Sequence, residues 1–69
     1  MTRAIILEVA ERHGIDPSDM HGPSRLPHLC RARWEAMSIL RERGLSLPMI
    51  GRMLNRDHKT VLHGLRRSG

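Results

Sequence analysis

The sequence predicts an all-α fold, a single small domain of four to five helices. Three observations predict it. Apolar residues recur at helical spacing, residues that start and stop helices punctuate the chain, and Ser46 to His63 reads as two short helices joined by a tight polar turn. The length of 69 residues allows one modest core. With 39% apolar but only 1% aromatic content, aliphatic side chains and five Met must build it.

Thr2 is placed to cap a first helix from about Arg3 to His13, ended by Gly14. Ile6, Val9, Ala10 and His13 follow i, i+3, i+4, i+7 spacing and form its inner stripe. Asp16-Pro17 then offers a cap followed by Pro at the first helical position, and Met20-His21-Gly22-Pro23 stops that piece after one turn. His21 to Pro27 is a loop centred on Arg25. A longer helix runs from about Pro27 or His28 to Arg43, with Leu29, Ala36, Met37 and Leu40 inward and Gly44 as its stop.

Ser46 caps the next helix, with Pro48 in the first turn, where a missing N–H does no harm. Leu47, Ile50 and Leu54 point inward. Gly51 lies mid-helix, where Gly costs about 1 kcal/mol against Ala, so the close approach of another helix is expected there. Asn55 is the expected left-handed turn residue. Asp57 then caps a last helix from His58 to about Arg67, with Val61, Leu62 and Leu65 inward and Lys59 and His63 sharing another face.

Charge is unevenly placed. The net charge is +5, yet residues 1–24 carry −2 while residues 25–69, with ten basic side chains against three acidic, carry +7. A solvated surface explains such an excess generically. Its concentration on the segment with the two-helix turn points instead to nucleic acid. No run of 18 apolar residues spans a membrane, no signal-peptide pattern opens the chain, and the single Cys30 forms no internal disulfide, so a cytoplasmic protein is expected. His21, His28 and Cys30 match no zinc spacing, and no paired carboxylates suggest a cleft. Neither an enzyme, nor a metal, nor any other cofactor is expected.

The residues at the start of the last helix can do chemistry with bases. His58 and Lys59 can donate to guanine N7 and O6, Asp57 can accept from cytosine N4, and the Thr60 methyl can pack on thymine. Residue type alone favours the plainer reading, Asp57 as a cap and the others as solvated surface. Arg66 and Arg67 suit the helix C-terminus. Arg41, Arg43, Arg52 and Arg56 read most simply as a solvated basic rim.

Ser46-Leu47-Pro48-Met49-Ile50-Gly51 and, after a short spacer, Arg56-Asp57-His58-Lys59-Thr60-Val61-Leu62-His63 resemble the C-terminal DNA-binding domain of the DnaA replication initiators. That family's signature runs Ser-Leu-Pro-x-Ile-Gly and then Arg-Asp-His-x-Thr-Val-Leu-His. Arg31-Ala32-Arg33-Trp34-Glu35-Ala36-Met37 is similar to its Arg-Pro-Arg-Gln-x-Ala-Met element. The likeness covers most of residues 3–67, with highest specificity from Ser46 to His63. It implies a DnaA-type, Trp-repressor-like helix-turn-helix at about 46–67.

By this resemblance Asp57 and His58 contact bases, Leu47 and Pro48 make apolar contacts near them, and Arg25 enters the minor groove from its loop. Thr60, His63, Arg31 and Arg33 meet the DNA backbone. Lys59 stands where the family has Thr or Ser on a base, and a Lys there can reach guanine or phosphate. Trp34 replaces a backbone-contacting Gln: either its ring lies against the sugar-phosphate chain or it has turned into the core. Asn55 alone stands where many members have two Gly.

The expected function is sequence-specific double-stranded DNA binding, as a transcriptional regulator or replication-site binder. No G-x-x-x-x-G-K-[ST] phosphate loop occurs, so no ATPase is expected. Met1 directly before the domain favours a stand-alone regulator or the N-terminal module of a larger one. The expected partners are double-stranded DNA and a protein of transcription or replication, with the chain a monomer or weak dimer, nucleoid-associated and not membrane-bound. If Arg25, Arg31, Arg33, His63 and a few rim arginines neutralise about 4 to 6 phosphates, the log–log salt slope is about −4 to −5. The reading from another class is a protein-interaction adaptor that kept the fold and lost DNA binding.

Overall fold

The computed structural model describes the backbone of residues 2–68 and the side chains of residues 3–67. Four α-helices and one 3₁₀ helix make up the described chain: α1 (Thr2–Arg12), the 3₁₀ helix (Pro17–Met20), α2 (Pro27–Glu42), α3 (Leu47–Leu54) and α4 (His58–Ser68). No strand occurs among the described residues. Thr2, expected as a cap, opens α1 itself, and its side chain lies outside the described residues, as does Met1.

Three helices end by one device. Gly14 and Gly44 take positive φ, 66° and 92°, and the next residue returns an N–H to the carbonyl five positions back: Ile15 to Ala10 at 3.0 Å, Leu45 to Leu40 at 3.3 Å. This is the Schellman arrangement, and the half-buried Ile15 and Leu45 lie against the core as it requires. At α3 the left-handed residue is Asn55, and the Arg56 N–H bonds the Gly51 carbonyl at 2.7 Å. The Asp16 carboxylate starts the 3₁₀ helix, accepting from the Ser18 N–H at 2.9 Å.

Helix α2 is the centre of the molecule and packs against every other element. Its Ala32, Ala36, Met37 and Leu40 meet Ile6, Val9 and Ala10 of α1, Met20, Ile50, Leu54 and Val61 in one core. Burial of such aliphatic side chains contributes roughly 1.5–3 kcal/mol each, which is how so aromatic-poor a chain holds together. Two expected inner positions lie outward. His13 follows the last residue of α1 and is exposed, its Nε2 3.2 Å from Glu35 of α2, which also pairs with Arg12. Leu62 is 41% exposed, because Val61 and Gly64 form the inner line of α4 and Leu62 is rotated about 100° from Val61.

Candidate nucleic-acid interface

The turn between α3 and α4 is built residue by residue. The Ser46 hydroxyl accepts from the Met49 N–H at 3.4 Å, and Pro48 sits in the first turn. Asn55, at φ 54° and ψ 48°, reverses the chain. The reversal brings the Arg56 carbonyl so close to Gly51 that a Cβ there would collide with it. The expected close approach at Gly51 is therefore made by the backbone of the turn, not by another helix.

Asp57 Oδ1 then accepts the Thr60 N–H at 2.8 Å, capping α4. That bond, followed by the Thr60 hydroxyl and the charges of His58 and Lys59, holds the Asp57 carboxyl below the ordinary aspartate value. The acid is thus an anion anchored to the helix start. It leaves His58, Lys59 and Thr60 exposed on the first turn of α4. The Thr60 backbone N–H and hydroxyl both face the Asp57 carboxylate, while the residue as a whole stays exposed.

Two grooves receive the remaining residues. A shallow one between α3 and α4 is lined by Pro48, Arg52, Asn55, Asp57 and His58, with Gly51 at its base. Leu47 is half-buried against the core beside it, while Pro48 and Met49 are exposed. The second groove lies between the 21–26 loop, α2 and α4. It brings Arg25, Trp34, Thr60 and His63 together. Lys59 and Arg31 are exposed but line neither groove.

The placement of Arg33 corrects the sequence reading. It is 3% exposed and cannot serve as a surface phosphate ligand. Its Nε donates to the Met20 carbonyl at 3.1 Å, Nη1 to Ser24 at 2.6 Å, and Nη2 to Asp19 at 2.7 Å and Gly22 at 3.2 Å. Burial first, and the nearby Arg56 charge second, lower its pKa, yet a guanidinium with four carbonyl acceptors stays protonated. Arg56 also departs from the solvated rim. Its Nη2 donates to the Gly22 carbonyl at 2.6 Å and its Nη1 to the Leu54 and Asn55 carbonyls at 3.1 and 2.9 Å.

Trp34 is turned partly inward. It is half-buried against the core and also lines the second groove. Its neighbour Gly64 was missed in the sequence: a Cβ there would meet Met37 Sδ and lie 2.7 Å from Trp34 Cδ1. The signal was available, because a glycine three residues after an inward Val61 marks a helix face under close packing. Cys30 is half-buried, its thiol 3.6 Å from the Arg25 carbonyl. No group of three or more potential metal ligands gathers among the described residues. No described helix is long and apolar enough to cross a membrane.

Two short helices locked at a left-handed turn, with an exposed polar first turn on the second and a net charge of +5, define a helix-turn-helix domain. The family model of the bacterial dnaA protein helix-turn-helix matches residues 2–67, and the chain belongs to that family. The chromosomal replication initiator protein DnaA of Cereibacter sphaeroides is 45% identical over 62 residues, 87% of this chain and 14% of the relative. That of Ruegeria sp. is also 45% identical over 62 residues, covering 87% of this chain and 13% of its own length. The protein of the same name from Neisseria meningitidis serogroup C is 44% identical over 69 residues, 96% of this chain and 13% of the relative. The chain thus spans only 13–14% of the length of these relatives.

Proposed function

We propose that this chain is one DNA-binding domain, residues 1–69, that recognises a double-stranded site by sequence and carries no catalytic activity of its own. The observation that carries the reading is the pairing of two structures. One is the capped start of α4, which presents His58, Lys59 and Thr60 to solvent; the other is the adjoining groove that holds Arg25, Thr60 and His63. Helix α4 enters the major groove, with His58 and Lys59 on base edges and Asp57 at the helix entrance. Pro48 and Leu47 pack near the bases, Thr60, His63, Trp34 and Arg31 follow the backbone, and Arg25 reaches into the neighbouring minor groove.

In the cell this makes the domain a regulator of transcription or an occupant of replication sites. The matched family region is a helix-turn-helix, and the 69 residues contain no phosphate-loop motif. Selection from a random duplex pool, with gel shifts at low and moderate salt, tests the proposal. A single enriched motif and salt-sensitive binding are expected. Absence of binding at low salt rejects it in favour of a protein-interaction adaptor.

A further inference from the structure

The loop that carries Arg25 is neither helix nor strand, and Pro23 lacks an N–H. Free, such a segment would have to be ordered each time Arg25 met DNA, and that ordering would weaken binding. It is not free. The four carbonyls to which the Arg33 guanidinium donates all lie between Asp19 and Ser24. The carbonyl of Gly22 accepts twice, from Arg33 Nη2 and from Arg56 Nη2. Arg56 lies in the turn that sets α4, and its Nη1 holds the Leu54 and Asn55 carbonyls of that turn. Asn55 Nδ2 adds a longer bond to the His21 carbonyl, 3.4 Å. Two cations meeting at one carbonyl repel each other, so this contact has an electrostatic cost that the surrounding acceptors must offset.

We propose that Arg56, with Arg33 beneath it, is a positioning residue for DNA recognition: through the Gly22 carbonyl it registers the Arg25 loop against the turn that aims α4. The inference rests on the DNA-binding reading above. It assigns to Arg56 the spacing between what the loop reads and what the helix reads, and it removes Arg56 from the phosphate-contacting rim. Arg25 itself stays exposed, three residues beyond the clamped carbonyl, on the same groove as Thr60 and His63.

The test uses Arg56→Lys, which keeps the charge but replaces the planar fork by one ammonium. The motif selected by the intact chain is assayed with A·T-rich and G·C-rich flanks, for the chain as it stands, Arg56→Lys, Arg25→Ala and the double variant. Backbone amide relaxation of Ser24 to Leu26 is measured without DNA. Arg56→Lys should loosen those amides and reduce the A·T-flank preference at least about fivefold, the lower end of what one read base pair contributes. It should leave the salt slope and the preference within the helix-read core unchanged. In the Arg25→Ala background it should have no further effect on flank preference.

Equal weakening on every flank, additivity with Arg25→Ala, or unchanged loop amides would overturn the proposal. Arg33→Lys, followed by Trp34 fluorescence as a folding check, should give the same flank-specific loss where it folds, and a uniform loss from a folded protein would count against it. If the intact chain binds no duplex at all, the DNA reading fails, while the loop amides still decide whether Arg56 orders the loop.

Discussion

Gly51→Ala separates two forces that act in opposite directions. Helix propensity alone favours Ala by about 1 kcal/mol at this mid-helix position, which would raise the melting temperature by roughly 4–8 °C for a domain of this size. The structure opposes that gain. The added Cβ would collide with the Arg56 carbonyl, a backbone atom held in place by the left-handed Asn55 and by the Arg56 N–H bond to Gly51 itself. Overpacking costs about 1–3 kcal/mol, and an obstacle that cannot rotate away belongs in the upper half of that range. The net loss is therefore about 1–2 kcal/mol, or a fall of roughly 5–15 °C in a thermal melt followed by far-UV circular dichroism. Gly64→Ala is the control, since one atom in its way is the flexible end of Met37, and its loss should be smaller. A rise in melting temperature for Gly51→Ala would refute the reasoning, because it would mean that the turn yields more easily than the helix gains.

Binding should show a log–log salt slope of about −2 to −4, shallower than the −4 to −5 expected from sequence, because Arg33 and Arg56 donate inside the protein and about two to four phosphates remain to be neutralised; titrations across salt concentrations check this. His58→Ala should flatten the difference between best and random sites by a factor of roughly five or more without changing helix content, and Lys59→Thr should shift the selected motif toward sites that DnaA initiators favour. An unaltered motif after Lys59→Thr would place Lys59 away from the bases. The Asp57 carboxyl has a lowered pKa in the folded state, so the stability that its cap provides is present above the ordinary aspartate value of 3.8 and is lost as pH falls through the depressed one. Acid titration of Asp57→Asn against the parent chain should show a smaller loss in that window, and equal losses would remove Asp57 from the acid response.

The sequence carried most of the caps and stops in full view, Thr2 being the exception. Ser46, Asn55, Asp57, Gly14 and Gly44 each have a local physical reason for their position, and local reasons survive folding. The core stripe of α2 was equally legible, since a helical period fixes which residues share a face. Arg33 and Arg56 were not legible. Their partners are main-chain carbonyls up to 34 positions away, which leave no trace in residue type, so two arginines in a basic segment look like surface. Leu62 misled because three apolar residues near one another offer more than one helical stripe, and Gly64 decides among them only once α2 is known to press on it.

Because Arg33 and Arg56 grip the loop by its carbonyl oxygens, the loop's shape depends little on which side chains it displays. Every residue offers the same carbonyl, so His21, Ser24 or Arg25 can be exchanged without disturbing those bonds. Gly22 is the tighter position, where a Cβ would come within 3.3 Å of the Ser18 carbonyl. Where Arg25 reads the flank as proposed, conformation and reading are inherited separately: a lineage, or an engineer, can vary Arg25 and its neighbours to seek new flanking sequences while the scaffold beneath them stays as it was.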